Sequence, residues 1–297
     1  MKVEEKKYNY KIYIPIIIAM LFWGSMGIPS TYAVAEFSLL NIMCLRSGIA
    51  TLFLFPIIKY RHKKILPAKE DVGYLLSMSI VGVVLCNYLY FFAVKNTSLV
   101  NVAILYALAP IFTAILALIF LKETIHSTRA LGIVLAFFGV VTLVTKGKLS
   151  ELLSIRFSAG DLAQIFSSLC LAVYTILSRQ VKKTPVDMTV FWMMSISFLT
   201  TLPSLFIAGG NAMYVNVSWR GILSIIYLGV FCSGLGYLLQ QKSIKLIGAP
   251  LSAAFLNGIS PITILTATIF FGENISLVQI VSMCVIFLGL YLNIINK

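Results

Sequence analysis

Asn87, Tyr90 and Phe91 stand at i, i+3 and i+4, one face of a helix. Ser233, Tyr237, Gln240 and Gln241 line a similar face further on, and an offset of 150 residues places Tyr237 on Asn87. Amides and phenols at such spacing offer hydrogen bonds in both directions, and the rings beside them can stack on a flat or apolar group. The chemistry is recognition of a solute, with hydrogen bonding between packed helices as the alternative, at about 0.6 kcal/mol per pair. Gln164, Ser167, Ser168, Leu171, Tyr174 and Ser178 form a further polar stripe, and Trp23, Gly27 and Thr31 share a face near the N-terminus.

Two prolines sharpen the reading. Proline has no N–H, so Pro110 and Pro261 leave the carbonyls of Tyr106 and Asn257 without their helical partners. In hydrocarbon a freed carbonyl persists only against another polar group or beside water. Tyr106 and Asn257 therefore join Trp23, Asn87, Tyr90, Tyr174, Tyr237 and Gln241 as substrate-contact candidates, with Pro110 and Pro261 as helix-breaking, cavity-lining positions. Arg46 offers a planar fork for a carboxylate or phosphate, or else snorkels to the membrane interface or pairs with Glu36. Glu123 and Glu273 each precede a short loop and a new helix, where a carboxylate can accept from unpaired N–H groups; capping or gating is their expected role.

No nucleophile, metal-ligand or general-base pattern accompanies these residues. The two histidines, His62 and His126, lie in expected loops, and HExxH, GxSxG and a Walker A loop are missing from the sequence. The five cysteines fall inside apolar stretches without CxxC spacing. We expect no enzyme activity, cofactor or metal.

The elements that must position these side chains follow from composition. Of 297 residues 60% are hydrophobic and only 11% charged, with a mean hydropathy of +0.97. A water-soluble domain carries about 25% charged residues, so most of this surface must face lipid. Ten stretches are long and apolar enough to cross about 30 Å of hydrocarbon. They lie near Ile12 to Ala35, Leu40 to Ile58, Val72 to Val94, Leu99 to Leu121, Thr128 to Thr145, Gly160 to Ser178, Met188 to Ala208, Trp219 to Gln241, Ala249 to Phe271 and Ser276 to Ile295. Ala33-Val34-Ala35 imitates a signal-peptide cleavage site, but cleavage there would leave nine spans.

The net charge of +13 would invite a nucleic-acid reading in a soluble protein. Here 17 Lys and Arg fall in the tails and loops on one side and 5 on the other, with Arg46 inside the second span. Positive residues are retained in the cytoplasm, so both termini are expected there, in a multi-pass protein of the cell membrane that binds no nucleic acid. Its partners are membrane lipids and a small-molecule substrate, and a monomer suffices.

The chain also repeats. Ala93-Val94-Lys95 matches Ser243-Ile244-Lys245, Leu121-Lys122-Glu123 matches Phe271-Gly272-Glu273, and Phe138-Gly139-Val140 matches Leu288-Gly289-Leu290, all at an offset of 150. Residues 1–145 and 160–297 read as two five-helix units joined by a polar connector, 146–159. An odd number of crossings turns the second unit upside down, giving an all-α membrane protein of two inverted repeats.

At this level the sequence resembles the EamA-type members of the drug/metabolite transporter superfamily. The resemblance rests on Trp23-Gly24-Ser25, on Arg46, and on a proline followed about a dozen residues later by a glutamate in each half, Pro110 to Glu123 and Pro261 to Glu273. It implies a ten-helix secondary transporter with a cavity lined chiefly by the first, third, fourth, sixth, eighth and ninth spans. The implied cargo is a small metabolite, often an amino acid leaving the cell; nucleosides, sugars or lipophilic drugs would fit the same residues, and a non-transporting assembly or sensor protein is the remaining alternative. The sequence departs from the pattern where Met194 stands opposite Arg46 in the second half, and where Lys122 occupies the place of Gly272. All ten acids fall in tails, loops or span ends, so exchange or facilitated diffusion is as open as proton coupling.

Overall fold

Apolar sequence without charge for stretches of about 20 residues folds as helix in lipid, because only a helix satisfies its own backbone there. The computed structural model describes residues 10–124, 126–148, 158–207, 217–271 and 274–295, and among these it is a bundle of ten spans. The first, α1, is a bent pair, Lys11–Gly24 and Gly27–Glu36, meeting at 44°. The other four spans of the first repeat are α2 (Leu39–Arg61), α3 (Lys69–Asn96), α4 (Asn101–Leu121) and α5 (Ser127–Val144). The second repeat holds α6 (Ala159–Gln180), α7 (Val186–Phe206), α8 (Trp219–Ile247), α9 (Ala249–Phe270) and α10 (Leu277–Ile294). Residues 149–157 of the connector and Glu273 lie outside the described residues.

The bundle is apolar outside and polar within. Leu52, Ile119, Phe120 and Ile269 are among the most exposed side chains, while Asn41, Arg46, Gln164, Gln240, Gln241 and Asn257 are buried. All five cysteines are free; four are buried and Cys284 is exposed.

Close packing follows the small residues. A Cβ on Gly132 would come within 2.6 Å of the Gly289 carbonyl, and one on Gly289 within 2.6 Å of the Gly132 carbonyl, so these glycines seat α5 on α10. A Cβ on Gly229 would stand 2.6 Å from Ile49, which explains the contact of α8 with α2.

Polar joints tie the repeats together at both faces. On the face that carries the termini, Asp71 accepts the backbone N–H groups of Lys182 (3.2 Å), Lys183 (2.9 Å) and Thr184 (2.6 Å). Asp187 receives Arg61 at 3.2 Å and His62 at 3.0 Å. On the opposite face Glu36 accepts from Ser218 N (2.9 Å) and Ser218 Oγ (2.6 Å), while Asp161 accepts from Thr97 Oγ1 (2.7 Å) and Asn101 Nδ2 (2.9 Å). Each joint crosses from one repeat to the other.

Helical regularity fails where function would use it. α3 and α8 widen to i→i+5 hydrogen bonding over Met78–Leu85 and Leu228–Gly236, at matching places in the two repeats. α1 breaks at Ser25 and Met26 because Pro29 lacks the N–H that would reach the Ser25 carbonyl. Lys122, which stands where the second copy has glycine, takes a left-handed φ of 54° and closes α4 in a turn that glycine adopts without strain.

Candidate functional site

Three polar positions on α8, each four residues from the next, take a hydrogen bond from three different helices. Arg46 of α2 donates from Nε to Ser233 Oγ at 2.7 Å. Asn87 of α3 donates from Nδ2 to Tyr237 Oη at 3.1 Å. Tyr174 of α6 donates to Gln241 Oε1 at 3.5 Å. Asn87 also accepts from Arg46 Nη1 at 3.0 Å and donates to the Val83 carbonyl at 2.7 Å, which links α2, α3 and α8 through one amide.

The contact between Asn87 and Tyr237 locates the site. These are the two residues that the 150-residue offset superposes, and equivalent residues of two inverted repeats can touch only near the pseudo-two-fold axis. The polar cluster therefore lies where the halves meet.

Aromatic rings wall it. Trp23 and Tyr174 each stand edge-on to Tyr237 with ring centroids 5.6 Å apart, and Tyr90 meets Tyr106 at 6.4 Å. Trp23 is fixed by donating from Nε1 to the Cys232 carbonyl at 3.1 Å. Two glycines make room: a Cβ on Gly82 would lie 2.6 Å from Tyr174, and one on Gly236 would lie 2.8 Å from the Trp23 indole nitrogen. The sequence singles out neither glycine, although Gly236 adjoins Tyr237 and Gly82 stands five residues before Asn87.

Both proline sites are real interruptions. The chain leaves the helix at Ala107 and Leu108 and restarts at Ala109, with Pro110 in the first turn. Ser168 of α6 donates to the Leu105 carbonyl at 2.9 Å, one residue before the expected Tyr106. In α9 the break is a tight turn over Leu256–Gly258, and Pro261 follows in the helix Ile259–Phe271. Asn257, on that turn, is 2% exposed, and neither its Oδ1 nor its Nδ2 finds a partner among the described residues. Gln240, with both amide atoms, and Gln241, with Nε2, share that condition on α8. A buried, unbonded amide is costly, about 1–3 kcal/mol for each group left unsatisfied, so these amides are the ones that call for a solute or a water as partner.

Several expectations are corrected. Arg46 neither snorkels nor pairs with Glu36: it is 2% exposed and bonded inward, while Glu36 is engaged by Ser218. The face shared by Trp23, Gly27 and Thr31 does not survive the break in α1, and Thr31 bonds back to the Ile28 carbonyl. Glu123 pairs with Arg179 of the other repeat at 3.7 Å; the expected capping of the next helix is not what occupies it. In α6, Ser167 and Ser168 bond to the Cys86 and Leu105 carbonyls, so that part of the stripe is helix packing, while Tyr174 reaches Gln241 of α8.

An apolar-clad bundle of ten helices, built as two inverted repeats around a central polar and aromatic cluster, defines an integral membrane transporter. The sequence profile of the EamA-like transporter family matches residues 10–145 and 158–295, one unit per repeat. The chain belongs to that family. It is 30% identical over 285 residues to the uncharacterized transporter YyaM of Bacillus subtilis, covering 95% of this chain and 92% of that one. It is 25% identical to the WAT1-related protein At2g39510 of Arabidopsis thaliana, over 95% and 84% of the two chains. A solved crystal structure with 14% identity superposes with a TM-score of 0.77 over 96% of each chain, a likeness of fold.

Proposed function

We propose that this protein is a secondary transporter that exports an amino acid across the cell membrane by alternating access. The observation that carries the reading is the Asn87–Tyr237 bond at the pseudo-two-fold axis, because a site there can be exposed to either side by rocking one repeat against the other. Trp23, Tyr90, Tyr106 and Tyr174 supply a wall for an apolar side chain. Asn257 and Gln241 supply unspent amide groups for a polar backbone. Both termini face the cytoplasm, on the side that holds 17 of the 23 Lys and Arg. A monomer contains the whole site.

Counterflow in proteoliposomes tests this. Vesicles preloaded with an unlabelled amino acid accumulate the labelled one transiently, and the Asn257→Ala and Tyr237→Phe proteins do so more slowly. Absence of counterflow across a panel of amino acids and nucleosides would remove the transporter of small polar metabolites from consideration.

A further inference from the structure

The central network has a polarity that its members impose on one another. A guanidinium can only donate, so the Asn87 oxygen must face Arg46, and the Asn87 nitrogen must then face the Val83 carbonyl and the Tyr237 hydroxyl. Asn87 thereby spends both of its N–H groups. Ser233 accepts from Arg46 and Tyr237 accepts from Asn87, which leaves each hydroxyl with its own proton to give. What remains unspent is a set of donors: the outer N–H groups of Arg46 and the O–H groups of Ser233 and Tyr237.

The cluster is also positively charged. Among the described residues the ion pairs found involve Arg61, His62, Arg179 and Lys183, and no carboxylate lies within 4.0 Å of Arg46. Arg46, Ser233 and Tyr237 are 2%, 1% and 5% exposed. A buried cation ringed by neutral hydrogen-bond partners in hydrocarbon needs a countercharge, and donors without acceptors need an acceptor-only group. A carboxylate meets both demands; a neutral amide offers an acceptor but no countercharge, and an ammonium group is repelled.

We propose that Arg46, with the hydroxyls of Ser233 and Tyr237, receives the carboxylate of the transported substrate. This rests on the transporter reading for what brings the carboxylate there, and on the hydrogen-bond polarity alone for where it binds. Asn87 is then a positioning residue, whose amide aims Arg46 and Tyr237 together.

Thermal unfolding of the purified full-length protein tests the assignment at constant ionic strength. Acetate, benzoate and L-phenylalanine are compared with acetamide, benzamide and L-phenylalaninamide, and sodium chloride serves as the control anion. The carboxylates raise the midpoint saturably and their amides do not; Arg46→Lys weakens the response about tenfold, since it keeps the charge but loses the fork. Arg46→Gln abolishes it. If Arg46→Gln fails to fold, Arg46→Lys and Ser233→Ala carry the test, each weakening carboxylates and leaving amides unchanged. The proposal is overturned if an amide matches its acid, if chloride matches both, if the parent protein ignores every carboxylate, or if the folded variants respond as the parent does. Loss of counterflow with the carboxylate response intact would instead overturn the transporter reading and leave the anion site standing.

Discussion

Asp71 and Glu36 each reach from the first repeat to the second, at opposite faces of the bundle. Asp71 is buried and collects three backbone N–H groups from the loop ahead of α7. Glu36 is half-buried and collects one N–H and one hydroxyl at the start of α8. The positions correspond, since each joint ties a loop before the second helix of one repeat to the first turn of the third helix of the other. The carboxylate simply sits on different partners. Backbone donors are fixed by the chain and cannot turn away, whereas the Ser218 hydroxyl can rotate. The terminus-bearing face is thus the more firmly held, with the Asp187 joint and the Glu123–Arg179 pair besides, against the Asp161 joint on the opposite face. In the proposed alternating cycle the opposite face is the easier one to part.

The largest effect is expected from Asp71→Asn, which removes the charge from three converging N–H groups. It should cost about 2–3 kcal/mol by thermal unfolding and increase thiol labelling of a cysteine at Gln241 from the terminus-bearing face. Gly221→Ala comes next: a Cβ there collides with Glu36 Oε2, so the Glu36 joint must shift, at about 1–2 kcal/mol, with labelling rising at the opposite face. Equal labelling at both faces in these two variants would erase the difference between the joints. Glu36→Gln keeps the shape and weakens two hydrogen bonds, about 1 kcal/mol, with a smaller rise on the same side. Glu70→Gln, which breaks an exposed pair with Lys183, should leave midpoint and labelling unchanged, marking the limit of what surface charge contributes.

Hydropathy and the repeat made the ten spans and their inversion legible, because both are written as long runs that tolerate boundary errors. The equivalence of Asn87 and Tyr237 was legible for the same reason. Their contact was not, since only the packing of the two halves decides which equivalent residues meet. Arg46 shows the limit from the other side: its partner Ser233 lies 187 residues away, and nothing local distinguishes it from the nearer Glu36. Pro29 carried a signal that could have placed the break in α1, by the argument used for Pro110 and Pro261. Glu123 drew a capping role from its position before a helix, yet Arg179 offered a full opposite charge from the neighbouring repeat.

The widened stretches of α3 and α8 give each helix a spare residue just ahead of Asn87 and Tyr237. An ordinary helix advances about 100° per residue, so absorbing that residue into regular winding would swing everything beyond it by about that angle. Straightening the bulge into regular winding with every residue kept would therefore carry Asn87 off the axis without altering its chemistry, whereas deleting one residue of the bulge, at Val84 for example, would leave Asn87 where it stands. The twin bulges therefore make the orientation of the central cluster depend on how the chain is wound just ahead of it, while the rest of the bundle keeps its shape.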